Sequence, residues 1–151
     1  MSTAPDNLTI EGIMSLTPDV PGFLYVEDDG LNRQIVELLL RRVCSYQQVT
    51  IFEDSENFME RLKALPYVPA VILLDIHVPP LDGFALLKLI RTDEAFAASR
   101  IIALTASVTV SEVNHLREFG FDGLIGKPIK QALFSSQMKD ILAGTPVWYV
   151  P

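Results

Sequence analysis

Cysteine is nearly absent: Cys44 is the single thiol in 151 residues, which excludes an internal disulfide and leaves the fold to its core. Basic charge is also scarce, with 12 Lys and Arg against 19 Asp and Glu and a formal charge of −7, so direct nucleic-acid binding is disfavoured. Met1 to Gly22 holds Asp6, Glu11 and Asp19 but no Lys or Arg, and so lacks the basic start of a secretory signal. No apolar run approaches the roughly 20 residues that span a bilayer. These absences point to a cytoplasmic protein with no membrane partner. What is abundant is apolar: hydrophobic residues make up 49% of the chain, enough for one globular domain.

Short apolar runs alternate with amphipathic stretches from Gly22 onward. Phe23 to Val26, Val49 to Phe52, Ala70 to Leu74, Ile101 to Leu104 and Leu124-Ile125 read as strands. Between and after them, helical spacing places Leu31, Ile35 and Leu38 on one face behind the N-cap Asp29, and Phe58 and Leu62 on one face of a helix over Asp54 to Leu65. Further helices are expected over Gly83 to Arg91, from a Thr109/Glu112 capping box to a C-cap at Gly120, and over Ile129 to Leu142. Strands alternating with helices predict an α/β fold, a doubly wound five-stranded parallel sheet in the order 2-1-3-4-5 with five helices. The predicted division is an extension over residues 1–21, a domain over 22–143 and a tail over 144–151. No output module is expected after Ala143. Val147, Trp148 and Tyr149 are apolar for a tail and either pack back on the domain or dock a partner.

In an open parallel sheet, ligands bind beyond the carboxyl ends of the strands. Here those ends carry Glu27 and Asp28, then Asp75, then Thr105, with Lys127 after the fifth strand. Three carboxylates on one rim repel one another unless a cation joins them. A hard divalent ion, Mg²⁺ above all, answers that need and also binds phosphate oxygens. The set suits phosphoryl transfer, with a carboxylate as nucleophile, Lys127 against the phosphoryl charge and Thr105 donating to one of its oxygens. No Gly-rich loop follows the first strand, so a nucleotide cradle is not expected.

Four segments in order resemble the response-regulator receiver of two-component signalling: Val26-Glu27-Asp28-Asp29, Leu73 to Gly83 around Asp75, Ile102 to Ala106, and Gly126-Lys127-Pro128-Ile129. The resemblance spans about Gly22 to Ala143 and implies the flavodoxin-like fold. It implies Asp75 as the phospho-acceptor, and Asp28, Asp75 and the backbone carbonyl of His77 as Mg²⁺ ligands, with Glu27 acting through water. It further implies Lys127 as the acyl-phosphate contact, with a cis bond to Pro128, and Thr105 as a hydroxyl that moves toward the phosphoryl group. The implied partners are a sensor histidine kinase or histidine phosphotransfer protein as donor and a downstream target protein. A homodimer would form through the last two helices. No catalysis is implied beyond self-phosphorylation from the donor and slow autodephosphorylation.

Two departures set up the alternatives. Leu124 stands where the family often has an aromatic residue, which leaves open a pseudo-receiver that binds protein without phosphate. His77 stands where a haloacid-dehalogenase-type phosphatase would place a second Asp, which argues against that enzyme class. His115 is expected to be solvated on a polar helix face.

Overall fold

The computed structural model describes residues 20–151. The expected extension over 1–21 therefore lies, apart from Val20 and Pro21, outside the described residues.

The strands are β1 (Gly22–Val26), β2 (Gln48–Phe52), β3 (Val71–Asp75), β4 (Arg100–Thr105), β5 (Gly123–Gly126) and β6 (Trp148–Tyr149). They form one sheet in the order β2-β1-β3-β4-β5-β6, with every neighbouring pair parallel. The helices are α1 (Gly30–Leu38), α2 (Phe58–Lys63), α3 (Gly83–Arg91), α4 (Val110–Phe119) and α5 (Gln131–Leu142). A π-helical turn, Leu39–Val43, prolongs α1, and a 3₁₀ turn, Glu94–Phe96, follows α3.

Both faces of the sheet are covered, which explains why the strands read as unbroken apolar runs rather than alternating ones. Leu24, Val26, Ile72 and Leu74 pack with Phe58, Leu86 and Leu116 on one side. Phe23, Tyr25, Val71 and Leu73 pack with Val36, Leu40, Phe134 and Met138 on the other. Burying each such side chain contributes about 1.5–3 kcal/mol, so the interior of β1 and β3 dominates the stability of the domain.

The local signals hold where a side chain closes a turn. Asp29 accepts from the Asn32 amide at 2.9 Å as the N-cap of α1, and Thr109 and Glu112 form the capping box of α4. Gly120 ends α4 at φ +115°, a left-handed conformation that glycine adopts without a Cβ penalty.

Two elements differ from expectation. α2 begins at Phe58, not at Asp54, because Ser55 turns inward: its hydroxyl donates toward the carbonyls of Val78 and Leu81 and accepts from the Leu81 amide at 2.7 Å. Asn57, at φ 45° and ψ 44°, separates that turn from the helix. The tail is the second difference. Leu124 pairs in register with Trp148 and Ile125 with Tyr149, so the sheet has six strands rather than five.

Among the described residues, no helix is long and apolar enough to cross a membrane.

Candidate functional site

The chain runs from β1 outward to β2 and then back across to β3, so the loops after β1 and β3 diverge at one point of the rim. The two acidic segments leave the sheet there. One oxygen from each of Glu27, Asp28 and Asp75 lies within 4.8 Å of the others. Asp28 is exposed, whereas Glu27 is only 1% and Asp75 5% accessible. Lys127, at the end of β5, reaches back across the rim. Its Nζ donates to Asp75 Oδ2 at 2.6 Å and to Glu27 Oε1 at 3.2 Å.

Each buried carboxylate is held on both oxygens. Glu27 accepts the Tyr25 hydroxyl on Oε1 at 2.8 Å and the Asp29 amide on Oε2 at 3.2 Å. Asp75 accepts the His77 amide on Oδ1 at 2.9 Å, opposite the lysine on Oδ2. Thr105 ends β4 nearly buried, and its hydroxyl oxygen accepts the Ser107 amide at 3.0 Å. Its carbonyl accepts the Lys127 amide at 2.8 Å, which ties the loops after β4 and β5 together at the site.

Protonation follows from this packing. Burial pushes the Glu27 carboxyl above its ordinary value, and the neighbouring Asp75 carboxylate adds to the rise. Burial acts on Asp75 in the same direction, but hydrogen bonds from Glu27, Lys127 and the His77 amide outweigh it and hold Asp75 below the usual carboxylate value. Burial alone would lower Lys127, yet Asp75 and Glu27 hold its ammonium above the ordinary lysine value. The packing thus favours the carboxylate form of Asp75, the form that can act as a nucleophile.

The donor set consists of carboxylate oxygens with one partner exposed to solvent. Three acidic side chains share a single ammonium, so negative charge at the rim is only partly offset. That chemistry fits a hard divalent cation such as Mg²⁺.

The structure therefore brings Glu27, Asp28, Asp75 and Lys127 together, with Thr105 on the adjacent strand end and the exposed His77 two residues past Asp75. The Lys127-Pro128 bond is cis, as expected, and so is Pro79-Pro80 in the loop after β3. Two contributors had escaped sequence reading. Tyr25 supports Glu27, and the period-two spacing along β1 was the signal for it. Arg33 donates to the Glu27 carbonyl at 3.0 Å from the first turns of α1, for which no sequence pattern exists. His115 is exposed, as expected, with its ring centroid 5.0 Å from Phe84 and 5.9 Å from Phe119.

A doubly wound sheet with a lysine-bridged acidic rim at its switch point defines a receiver-type α/β module. Residues 23–139 match the family model described as the response regulator receiver domain, and the chain belongs to that family, the receiver domains of two-component signalling.

Among curated relatives, it is 34% identical over 122 residues to hybrid signal transduction histidine kinase M of Dictyostelium discoideum, covering 79% of this chain and 5% of that protein. It is 28% identical over 111 residues to stress response regulator protein 1 of Candida tropicalis, covering 74% of this chain and 41% of that protein. The chain thus spans less than half the length of these relatives.

A solved receiver domain of a sensor histidine kinase from Pseudomonas aeruginosa superposes with a TM-score of 0.70 at 28% identity, over 82% of this chain and 98% of that one. That structure has a magnesium ion coordinated in its active site cleft. The signal receiver domain of a DNA-binding response regulator from Colwellia psychrerythraea gives a TM-score of 0.72 at 24% identity, over 82% and 98% of the two chains, and shows the shared fold.

Proposed function

We propose that this chain accepts a phosphoryl group on Asp75 from a phosphohistidine of a histidine kinase or phosphotransfer protein, and that the acyl phosphate changes its affinity for a target protein. The observation that carries the reading is Asp75 itself: a nearly buried carboxyl, held below its ordinary pKa by hydrogen bonds from its neighbours, with Lys127 Nζ at 2.6 Å and two further acidic side chains beside it.

Asp28 and Asp75 would hold Mg²⁺ directly, with the carbonyl of His77 completing the protein ligands and Glu27 acting through water. When bound, the ion supplies positive charge against the phosphate oxygens and offsets the repulsion among the three acids. The magnesium-bearing receiver from P. aeruginosa supports this assignment.

In the transfer, an Asp75 oxygen attacks phosphorus. The new P–O bond forms as the donor's P–N bond breaks, and the bonding pair stays on the imidazole nitrogen. Lys127 then exchanges its contact with Asp75 Oδ2 for a phosphoryl oxygen. The Thr105 hydroxyl, nearly buried at the adjacent strand end, would be a second donor. Leu31, Leu38 and Val43, exposed to 65%, 55% and 55%, lie on and just after α1, beginning two residues past the N-cap at the site. Leu31 offers a donor an apolar contact near the acceptor, and Leu38 and Val43 extend exposed apolar surface further along the helix.

The phosphoryl group adds roughly 1.5 to 2 negative charges to a rim already rich in carboxylates. Inward movement of the Thr105 loop beside Lys127 adds donors for it. Moving a two-state equilibrium from 1:99 to 99:1 takes about 5.5 kcal/mol, the scale of two or three charge-assisted hydrogen bonds.

Intact-mass analysis after incubation with acetyl phosphate and Mg²⁺ tests the reading. A phosphoryl adduct that requires Mg²⁺ and is absent from Asp75→Asn supports it. Absence of an adduct from both proteins would instead leave a phosphate-independent binding module.

A further inference from the structure

The sixth strand is connected to the acceptor site. Val147 to Pro151 runs along the open edge of β5, starting at the far end of that strand and finishing at the rim. Two bare backbone positions seat it. A Cβ on Gly123 would lie 2.6 Å from the Val147 carbonyl oxygen, and a Cβ on Gly126 would lie 2.6 Å from Pro151 Cδ. Any side chain at either position would push the strand away. The Leu124 amide donates to the Val147 carbonyl at 2.8 Å, and the Arg117 guanidinium of α4 lies 4.1 Å over the Trp148 ring.

The rim end of this strap is the informative one. Gly126 immediately precedes Lys127, and the same absent Cβ would lie 2.9 Å from Val108 Cγ1. Val108 is three residues past Thr105, in the loop that leads into α4. Pro151 and Val108 therefore share one seat on the Gly126 backbone, which is bounded by the two loops that carry Thr105 and Lys127. Neither loop can move toward a phosphoryl group on Asp75 without disturbing that seat.

We propose that the C-terminal strand is a strap whose attachment to β5 reports the state of Asp75: phosphorylation shifts Val108 against Gly126, Pro151 loses its seat, and the segment Val147–Pro151 loosens from the sheet. Loosening uncovers the main-chain edge of β5 and a half-buried tryptophan. The link from acceptor to output then runs through an edge strand, on a chain whose β5 carries Leu124, fully buried beneath that strand's first residues. This inference rests on the phospho-acceptor reading above.

Trp148 is the only tryptophan in the sequence, so its emission isolates the strap. The full chain is incubated with acetyl phosphate and Mg²⁺, and adduct mass, Trp148 emission and acrylamide quenching are followed on the same samples. The strap model predicts a shift to longer wavelength and stronger quenching that track the adduct and vanish in Asp75→Asn. Val108→Ala, which removes one side of the shared seat, should form the adduct as wild type does but lose most of the optical response. Full adduct with unchanged Trp148 emission and quenching would overturn the strap and leave the acceptor reading standing. A full response in Val108→Ala would also overturn it, because the coupling would then bypass the seat. No adduct at all would remove the acceptor reading and the strap with it.

Discussion

Leu74 and Asp75 are consecutive residues of β3, both nearly inaccessible, and they belong to two different regions of the molecule. Leu74 belongs to the body of the sheet, where covering helices remove apolar surface from water and any well-shaped hydrophobe would serve. Asp75 belongs to the rim, where buried acids are tolerated only because Lys127, the His77 amide and the Tyr25 hydroxyl satisfy them and their neighbours. The body supplies stability and has no chemistry. The rim gathers the charged groups and supplies little net stability, since its favourable contacts are spent on desolvated charge. Position along a strand, counted to its last residue, thus separates the two roles.

Substitutions should break that comparison in a definite order. Leu74→Ala leaves a cavity in the fully buried core and is expected to cost about 2–5 kcal/mol in denaturant unfolding, while the folded fraction still takes up the phosphoryl group. Lys127→Ala removes the cation between Asp75 and Glu27. We expect a loss of about 1–3 kcal/mol in the metal-free protein at neutral pH, recovered in part when Mg²⁺ is added. A thermal scan with and without Mg²⁺ reads both effects, and a variant as stable as wild type in chelator would contradict the pairing.

Glu27→Gln probes the rim by pH. The carboxyl of Glu27 is raised in the folded state, so its ionisation opposes folding. Wild-type stability should fall relative to Glu27→Gln as pH rises from below the ordinary 4.5 through the raised value. Asp75 has the opposite sign: held low in the fold, it contributes stability above the ordinary 3.8 that is lost on acidification through its lowered value. Unfolding curves of the Gln variant and wild type across the acid range would show the two diverging toward neutrality; curves that converge there would refute the sign. The smallest effect is expected at Asp29→Ala, where loss of the N-cap bond to Asn32 should cost about 1 kcal/mol and leave phosphorylation intact.

The same division explains what could be read before the fold was seen. Body strands announce themselves by composition: β1, β3 and β4 are short apolar runs whose order follows from handedness once helices separate them. The rim was legible because Glu27, Asp28, Asp75, Thr105 and Lys127 each sit where an apolar run stops. The failures share a cause in long-range packing. β6 is two residues long and pairs only because Gly123 and Gly126 leave room for it, which no pattern within the tail expresses. The delayed start of α2 depends on Ser55 bonding a loop some 23 to 26 residues away. The aromatic neighbours of His115 come partly from α3, so helix spacing showed its exposure but not the Phe84 ring beside it.

The most direct test of the account is chemical mapping of the modified residue. Borohydride reduction of an acyl phosphate converts the phosphorylated aspartate to homoserine, which peptide sequencing by mass spectrometry locates. After treatment with acetyl phosphate and Mg²⁺, we predict homoserine at position 75 alone. Homoserine at Asp28 or Asp82 with Asp75 unaltered would contradict the assignment of the rim's nucleophile.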